Sequence, residues 1–226
     1  MARGATRIEV LERVAAALVL DGTVAARFRA RALDLARAEG FGHAVITHRL
    51  VPLDGPAGAV LVAGGEAFHA PRLLPESGDL TGLAFGAATL GPGLPERVSA
   101  LFAERQMSLA LALDAIGNLM LLEASRRLQD AVIAGVRRAG LTMAGELRPG
   151  DPGLALEAQP AVVRLAGGEA IRLTVTRSLA LNPPKSATVV YGVGRDLPAV
   201  SWSRCDDCRS RPTCRVVRDA ALPVPA

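Results

Sequence analysis

The stretch that decides the fold is MSLALALDAIGNLMLLEASRRLQDAVIAGVRRAG, residues 107–140. Its apolar residues recur at helical spacing, and its first half is apolar almost all round. The pattern therefore predicts one long helix that is central to the core. Two acids, Asp114 and Glu123, interrupt this apolar background. A carboxylate in such surroundings must be paired or must face a cleft.

Helices and strands are predicted on both sides of this helix. Amphipathic helices are predicted over residues 8–18, 24–40 and 161–166. Short β-branched segments separated by Gly and Pro predict strands between residues 43 and 69, around 85–90, and over 171–181 and 187–194. The order of helices, strands, one long helix and further strands indicates an α+β fold with a largely antiparallel sheet, flanking helices and one long central helix.

The length of 226 residues allows one large domain or two small ones. We predict that residues 1–80 supply helices and strands to the same domain as a core over 80–200, and that 201–226 form a cysteine-containing tail. The net charge of +4 does not indicate nucleic acid, because aromatic residues make up only 3% of the chain and the arginines are spread beside acids.

The sequence indicates a cytoplasmic protein without a membrane partner. Glu9 and Glu12 interrupt the apolar residues of the N-terminus, which argues against a signal peptide. The longest uncharged apolar stretches fall short of the ~18–20 residues that span a bilayer. Cysteines in that compartment are thiols or metal ligands more often than disulfides.

All three cysteines lie in CDDCRSRPTC, as Cys205, Cys208 and Cys214. The C-x-x-C spacing suits metal binding, because one tight turn aims both sulfurs at one ion. Three thiolates fit zinc with a fourth ligand from elsewhere, or an iron–sulfur cluster with one exchangeable iron. A reduced thiol cluster without metal fits equally well, and the sequence does not choose among the three.

The segment ELRPGDPGL, residues 146–154, forms a defined turn with Arg148 at its mouth. Its glycines would let a ligand approach the backbone, and an adjacent arginine can hold a carboxylate through two hydrogen bonds. A simple connecting loop between two helical segments is the alternative.

Lys185 and Ser186 are adjacent, so on a strand they face opposite sides and do not form a catalytic pair. The three histidines are interpreted as ordinary polar residues.

Four segments together resemble a known family. They are FGAATLGPGLPERVSALF (85–102), LALDAIGNLMLLEASRRL (111–128), ELRPGDPGLALEAQPAVVRL (146–165) and LTVTRSLALNPPKSATVVYGVG (173–194). In this order they resemble the reactivation domain of cobalamin-dependent methionine synthase, in a free-standing form. The resemblance implies a C-shaped α+β domain with a twisted antiparallel sheet.

The resemblance also implies a ligand and the residues that hold it. In that family the domain binds S-adenosylmethionine and presents it to oxidised cobalamin, with an electron from flavodoxin. By this resemblance Arg148 holds the methionine carboxylate and Glu123 attracts the amino group and the sulfonium, while the turn from Gly150 to Gly153 lines the adenosine side. Leu154 stands where the family has tyrosine.

The sequence contains no D-x-H-x-x-G cobalamin signature. The function that we expect is therefore that of an accessory protein in methionine biosynthesis. It would bind S-adenosylmethionine and assist reductive reactivation of a cobalamin-bearing partner, either a corrinoid protein or a truncated methionine synthase. Any catalytic role would be as a component of that methyltransferase reaction. The alternatives are a metal- or iron–sulfur-binding protein that uses Cys205, Cys208 and Cys214 on the same fold without S-adenosylmethionine, or an interaction module with neither ligand.

Overall fold

The computed structural model describes residues 4–18, 22–203, 206 and 211–213. The described strands are β1 Thr6–Glu9, β2 His43–Pro52, β3 Val60–Ala63, β4 Glu66–His69, β5 Asp79–Thr89, β6 Thr142–Leu147, β7 Thr174–Val175, β8 Leu181–Asn182 and β9 Ser186–Arg195. The described α-helices are α1 Leu11–Ala17, α2 Val24–Ala38, α3 Gly93–Ala103, α4 Met107–Arg138 and α5 Gln159–Ala166.

Five strands form one sheet in the order β1-β2-β5-β9-β6, and every neighbouring pair is antiparallel. The central strands β5 and β9 are buried along almost their whole length. Both faces of these strands must therefore be covered. Strands β3 and β4 form a separate ribbon, as do β7 and β8. The predicted α+β fold with an antiparallel sheet is confirmed.

Helix α4 covers one face of the sheet and is the longest described element, at 32 residues. Its buried residues share a core with α1, α2, α3 and the sheet. Leu128 marks the closest approach, because a Cβ on Gly86 of β5 would lie 3.1 Å from its Cδ2 atom. A side chain in place of Gly86 would push α4 away from the sheet. The prediction of one long central helix is confirmed.

Asp114 and Glu123, the two acids that interrupt the apolar pattern of α4, are both paired. Asp114 Oδ1 lies 2.7 Å from Nζ of Lys185, the residue immediately before β9. Glu123 Oε1 lies 3.8 Å from Nη1 of Arg13 on α1. These contacts attach α4 to the sheet at one point and to the N-terminal helix at another.

By length and composition alone, α4 is also long and apolar enough to cross a membrane. The sequence analysis did not predict this, because Asp114 and Glu123 divide the helix into uncharged stretches that are each shorter than a membrane span. Long apolar helices in protein cores satisfy the same criterion. In the apolar first half of α4, Leu113, Ile116 and Met120 are buried in the core, whereas Met107 and Leu111 are exposed.

The other face of the sheet carries a second core. Helix α5, the β3–β4 ribbon and the short 3-10 turns around residues 71–73 and 168–171 pack there against β5 and β9. Phe68 of β4 lies against Phe85 of β5, with ring centroids 5.3 Å apart. The sheet is therefore the middle layer of three.

Three local predictions were wrong. The predicted helix over 8–18 begins at Leu11, because residues 6–9 pair with β2 as a strand. The segment 171–181 is a 3-10 turn followed by the two-residue strands β7 and β8, and not one continuous strand. The segment before ELRPGDPGL is strand β6, which the sequence analysis missed.

Candidate functional site

The candidate site begins at an irregularity in β6. The pairing of β6 with β9 shifts between Ala144 and Leu147, and Gly145 adopts a φ of +69°. Beyond this bulge Glu146 faces the helix side of the sheet, where its Oε2 atom lies 3.4 Å from the hydroxyl of Tyr191. Bulges of this kind redirect the side chains that follow them.

Arg148 lies two residues after Glu146 and therefore extends on the same side of the strand. Its Nη2 atom is 3.4 Å from Oε1 of Glu146. Both side chains are about one-quarter exposed, at 28% and 26%. The two charges sit at the edge of the sheet, partly shielded from water but accessible to a ligand, and this combination strengthens electrostatic recognition.

Residues 148–154 form two successive tight turns. The Asp151 carboxylate accepts a hydrogen bond from the backbone N–H of Arg148 at 2.9 Å, and the Asp151 N–H donates to the Arg148 carbonyl. Leu154 donates to the Asp151 carbonyl and accepts from Gly150. The backbone beneath the arginine is therefore held by its own hydrogen bonds. The prediction of a defined turn at this position is confirmed.

The two glycines of the turn both need the left-handed backbone region. Gly150 has a φ of +94° and Gly153 a φ of +95°. A Cβ on Gly153 would also lie 2.9 Å from Cδ of Arg72, whereas one on Gly150 would meet only Leu156 at 3.6 Å. Arg72 in turn stacks on the ring of Trp202 at 4.3 Å. Gly153 is thus required both by conformation and by close packing.

Leu154, where the resemblance predicts a departure from the family's tyrosine, is only 2% exposed and belongs to the second core. It stabilises the base of the turn and does not offer a surface to a ligand. Any contact that the family's tyrosine makes must here come from another residue.

Glu123 is paired with the N-terminal helix α1. Its carboxylate faces α1 and pairs with Arg13, and none of the contacts among the described residues joins it to Arg148. The residue that the structure does place beside Arg148 is Glu146. A pocket shared by Glu123 and Arg148 stays a prediction from the resemblance.

Glu146 and Tyr191 are the site residues that the sequence analysis missed. A signal for Glu146 was present, because an acid two residues before an arginine shares its face whenever the segment is a strand. The signal was not used because the segment before the turn was interpreted as helical. Tyr191 joins the site only through the pairing of β6 with β9, which no local pattern reports.

Cys205, Cys208 and Cys214 lie outside the described residues. Between them the structure describes Asp206, which accepts a hydrogen bond from the Ser203 N–H at 2.7 Å. This bond lowers the pKa of the Asp206 carboxyl, and Arg211 adds to the effect. In the part of the chain that the structure describes, there is no group of three or more His, Cys, Asp or Glu residues that could hold a metal ion.

Lys185 and Ser186 are directed apart, as predicted. The ammonium of Lys185 donates to the side chain of Asn118 and pairs with Asp114, both on α4. The hydroxyl of Ser186 donates to Thr89 Oγ1 at 2.8 Å within the sheet. The two residues have structural partners on different elements.

The fold and this edge site define a class: an α+β domain whose antiparallel sheet carries one long helix and a charged turn after its edge strand. No protein-family model matches the sequence, and no curated protein does. Among solved structures the chain is similar to the MetH reactivation domain bound to AdoHcy, with a TM-score of 0.63 and 14% identity. The match covers 96% of this chain and 86% of that chain. At this identity the likeness shows the fold, which is the fold that the resemblance predicted.

Proposed function

We propose that this protein binds S-adenosylmethionine and its product S-adenosylhomocysteine beside Arg148, as an accessory protein for corrinoid-dependent methyl transfer. The observation that carries the proposal is the combination of a fold shared with a domain bound to AdoHcy and an arginine–glutamate pair on a glycine turn. The fold supports the class of ligand, and the pair supplies chemistry that could recognise it.

The amino-acid end of the ligand is a zwitterion and matches two opposite charges. The Arg148 guanidinium can hold the carboxylate through two parallel hydrogen bonds. The Glu146 carboxylate lies 3.4 Å from that guanidinium and can accept hydrogen bonds from the ammonium group. Binding would exchange the internal pair for two pairs with the ligand, so neither charge would be left buried without a partner.

The sulfonium of S-adenosylmethionine carries a positive charge that S-adenosylhomocysteine lacks. Glu146 would attract this charge, and Arg148 would oppose it. Because the two effects partly cancel, we expect the two ligands to bind with similar affinity. The turn from Gly150 to Gly153 would admit the adenosine beside Gly150, which presents no side chain and has only Leu156 near it. The resemblance proposes both glycines as binding residues, and it proposes Glu123 as the alternative to Glu146 for the acid of the site.

The partner is proposed on the same basis. S-adenosylmethionine would supply the methyl group, cobalamin on a corrinoid protein or a truncated methionine synthase would accept it, and a cytoplasmic donor such as flavodoxin would supply the electron. This chain would contribute binding, orientation and electrostatics. A fold similar to a domain of MetH supports this context.

The experiment is isothermal calorimetry with S-adenosylhomocysteine and S-adenosylmethionine. The wild-type protein should bind each ligand at one site, and Arg148→Ala should weaken binding about 10- to 150-fold, because hydrogen bonds to a charged group contribute about 1.5–3 kcal/mol. Arg177→Ala removes an exposed arginine from the β7–β8 connection and is the matched control. Equal heats of binding in the Arg148 and Arg177 variants would refute the assignment.

The cysteine tail favours a second candidate function. Three thiols within ten residues, beside Arg204, Arg209 and Arg215, would have a raised thiolate fraction and could bind zinc or an iron–sulfur cluster. The fourth ligand would come from another part of the chain or from a partner. This function does not depend on the ligand site at Arg148, and the protein could have either one alone.

A further inference from the structure

A groove of about 690 Å³ opens at the end of the sheet away from the Arg148 turn. It lies between the last turn of α4 and the strands β2, β5 and β9. Arg195, at its mouth, is five residues along β9 from Val190, the partner of Leu147. Five strand residues span about 17 Å. Val193 in the lining is two residues along β9 from Tyr191, so the groove adjoins the site proposed above, but Glu146, Arg148 and Tyr191 are not among its lining residues.

The floor of the groove is apolar. Val193 is buried at its base, and Leu50 and Leu141 form its walls, all three on the α4 side of the sheet. The groove stays open because Gly135 brings no side chain into it: a Cβ there would lie 3.3 Å from Nε2 of His48 and 3.8 Å from Cδ1 of Leu50. A volume of this size suits a small organic ligand.

The polar groups at the groove are mainly cationic. Arg138 and Arg195 line it and are both exposed, and within the described part of the chain neither has an ion-pair partner. Asp79 lies opposite Arg195 in the β5–β9 ladder without forming an ion pair with it. The imidazole of His48 and the hydroxyl of Thr81 complete the polar lining.

The end of α4 affects which charge the groove accepts. The C-terminus of a helix carries a partial negative charge, which disfavours a bound anion. Arg137 and Arg138 occupy that last turn and counter it, and only Arg138 lines the groove. With Arg195 on the opposite wall, the groove presents two guanidinium groups above an apolar floor.

We propose that this groove binds a small amphiphilic anion, an organic acid with an apolar acyl body and one carboxylate. The acyl body would cover the apolar surface formed by Val193, Leu50 and Leu141. The carboxylate would lie at the mouth between Arg138 and Arg195. The inference does not depend on S-adenosylmethionine binding, because it uses different residues.

The test is calorimetry of the full chain with octanoate and decanoate, below the concentrations at which they form micelles. Decanoate should bind about ten-fold more tightly than octanoate, because each buried methylene strengthens binding about three- to four-fold. Octylammonium, which has a similar chain and the opposite charge, should not bind. A preference for the anion would distinguish this site from an apolar surface that binds alkyl chains nonspecifically.

Two variants and one control locate the site. Arg138→Gln together with Arg195→Gln should weaken decanoate binding about ten-fold, and Ala139→Trp should block the groove from its exposed rim. Arg137→Gln removes the same charge from the neighbouring position outside the groove and should leave affinity unchanged. Absence of saturable binding, or equal weakening by the Arg137 variant, overturns the proposal. Circular dichroism confirms that each variant is folded.

Discussion

Nη2 of Arg148, the first residue after the edge strand β6, lies 3.4 Å from Oε1 of Glu146 within that strand. The second oxygen of that carboxylate lies 3.4 Å from the hydroxyl of Tyr191 on β9. Both distances are at the long end of the range for hydrogen bonds. The contacts join Arg148 to Glu146 and Glu146 to the neighbouring strand.

Substitutions of Glu146 and of Glu123 are expected to change the affinity for the ligand by different amounts. Glu146→Gln should weaken S-adenosylmethionine binding about five- to ten-fold and S-adenosylhomocysteine binding less, because only the first ligand carries the sulfonium charge. Glu123→Gln removes the same charge from α4 and should change both affinities less than two-fold. Calorimetry on the two variants decides which acid belongs to the site. If Glu123→Gln caused the larger loss, the site would be the one that the family resemblance describes.

The two glycines of the turn differ in what a methyl group would meet. Gly153→Ala combines an unfavourable φ with a contact of 2.9 Å to Arg72, and should lower the free energy of unfolding by about 2–3 kcal/mol. Gly150→Ala has the same backbone strain with room for the methyl group, and should cost about 1 kcal/mol. Urea denaturation measures both. Equal losses would mean that the packing against Arg72 contributes nothing.

Lys185 attaches the first half of α4 to the sheet. Its side chain is 12% exposed and that of Asp114 is 42% exposed. Lys185→Ala should therefore lower the free energy of unfolding by about 1–2 kcal/mol, more than loss of a surface pair and less than loss of a buried one. Thermal and urea unfolding provide the measurement, with Arg177→Ala as the exposed control. A change no larger than that of the control would show that the pair is not stabilising.

The cysteine tail predicts bound metal. Protein purified without oxygen should carry either stoichiometric zinc or a brown chromophore, and Cys205→Ser with Cys208→Ser should remove it. The affinity for S-adenosylhomocysteine should not change, because the two sites use different residues. Metal analysis and an absorption spectrum report the result. Colourless protein without metal would leave the tail as reduced thiols.

The elements that the sequence predicted correctly are those with strong local signals. The 32 residues of α4 carry a helical pattern over their whole length, and β9 is a continuous β-branched and apolar segment. The pairing of Asp114 was also predictable, because an acid among apolar residues needs a partner. The identity of that partner, Lys185, depends on tertiary packing and could not be predicted.

The site was harder to predict than the fold. Arg148 was identified from the turn residues around it, which act locally. Strand β6 was missed because its alternation is broken by Gly145, where the bulge lies. Without that strand, neither the shared face of Glu146 and Arg148 nor the neighbouring position of Tyr191 could be inferred.

The central claim is that S-adenosylhomocysteine binds at the Arg148 turn. The most direct test is a titration of the ¹⁵N-labelled protein with this ligand, followed by amide chemical shifts. The account predicts saturable shifts concentrated at residues 146–154 and at Tyr191, with the amides of Gly82 and Gly135 unmoved. Shifts that never saturate, or that cluster at a different face of the sheet, would contradict it.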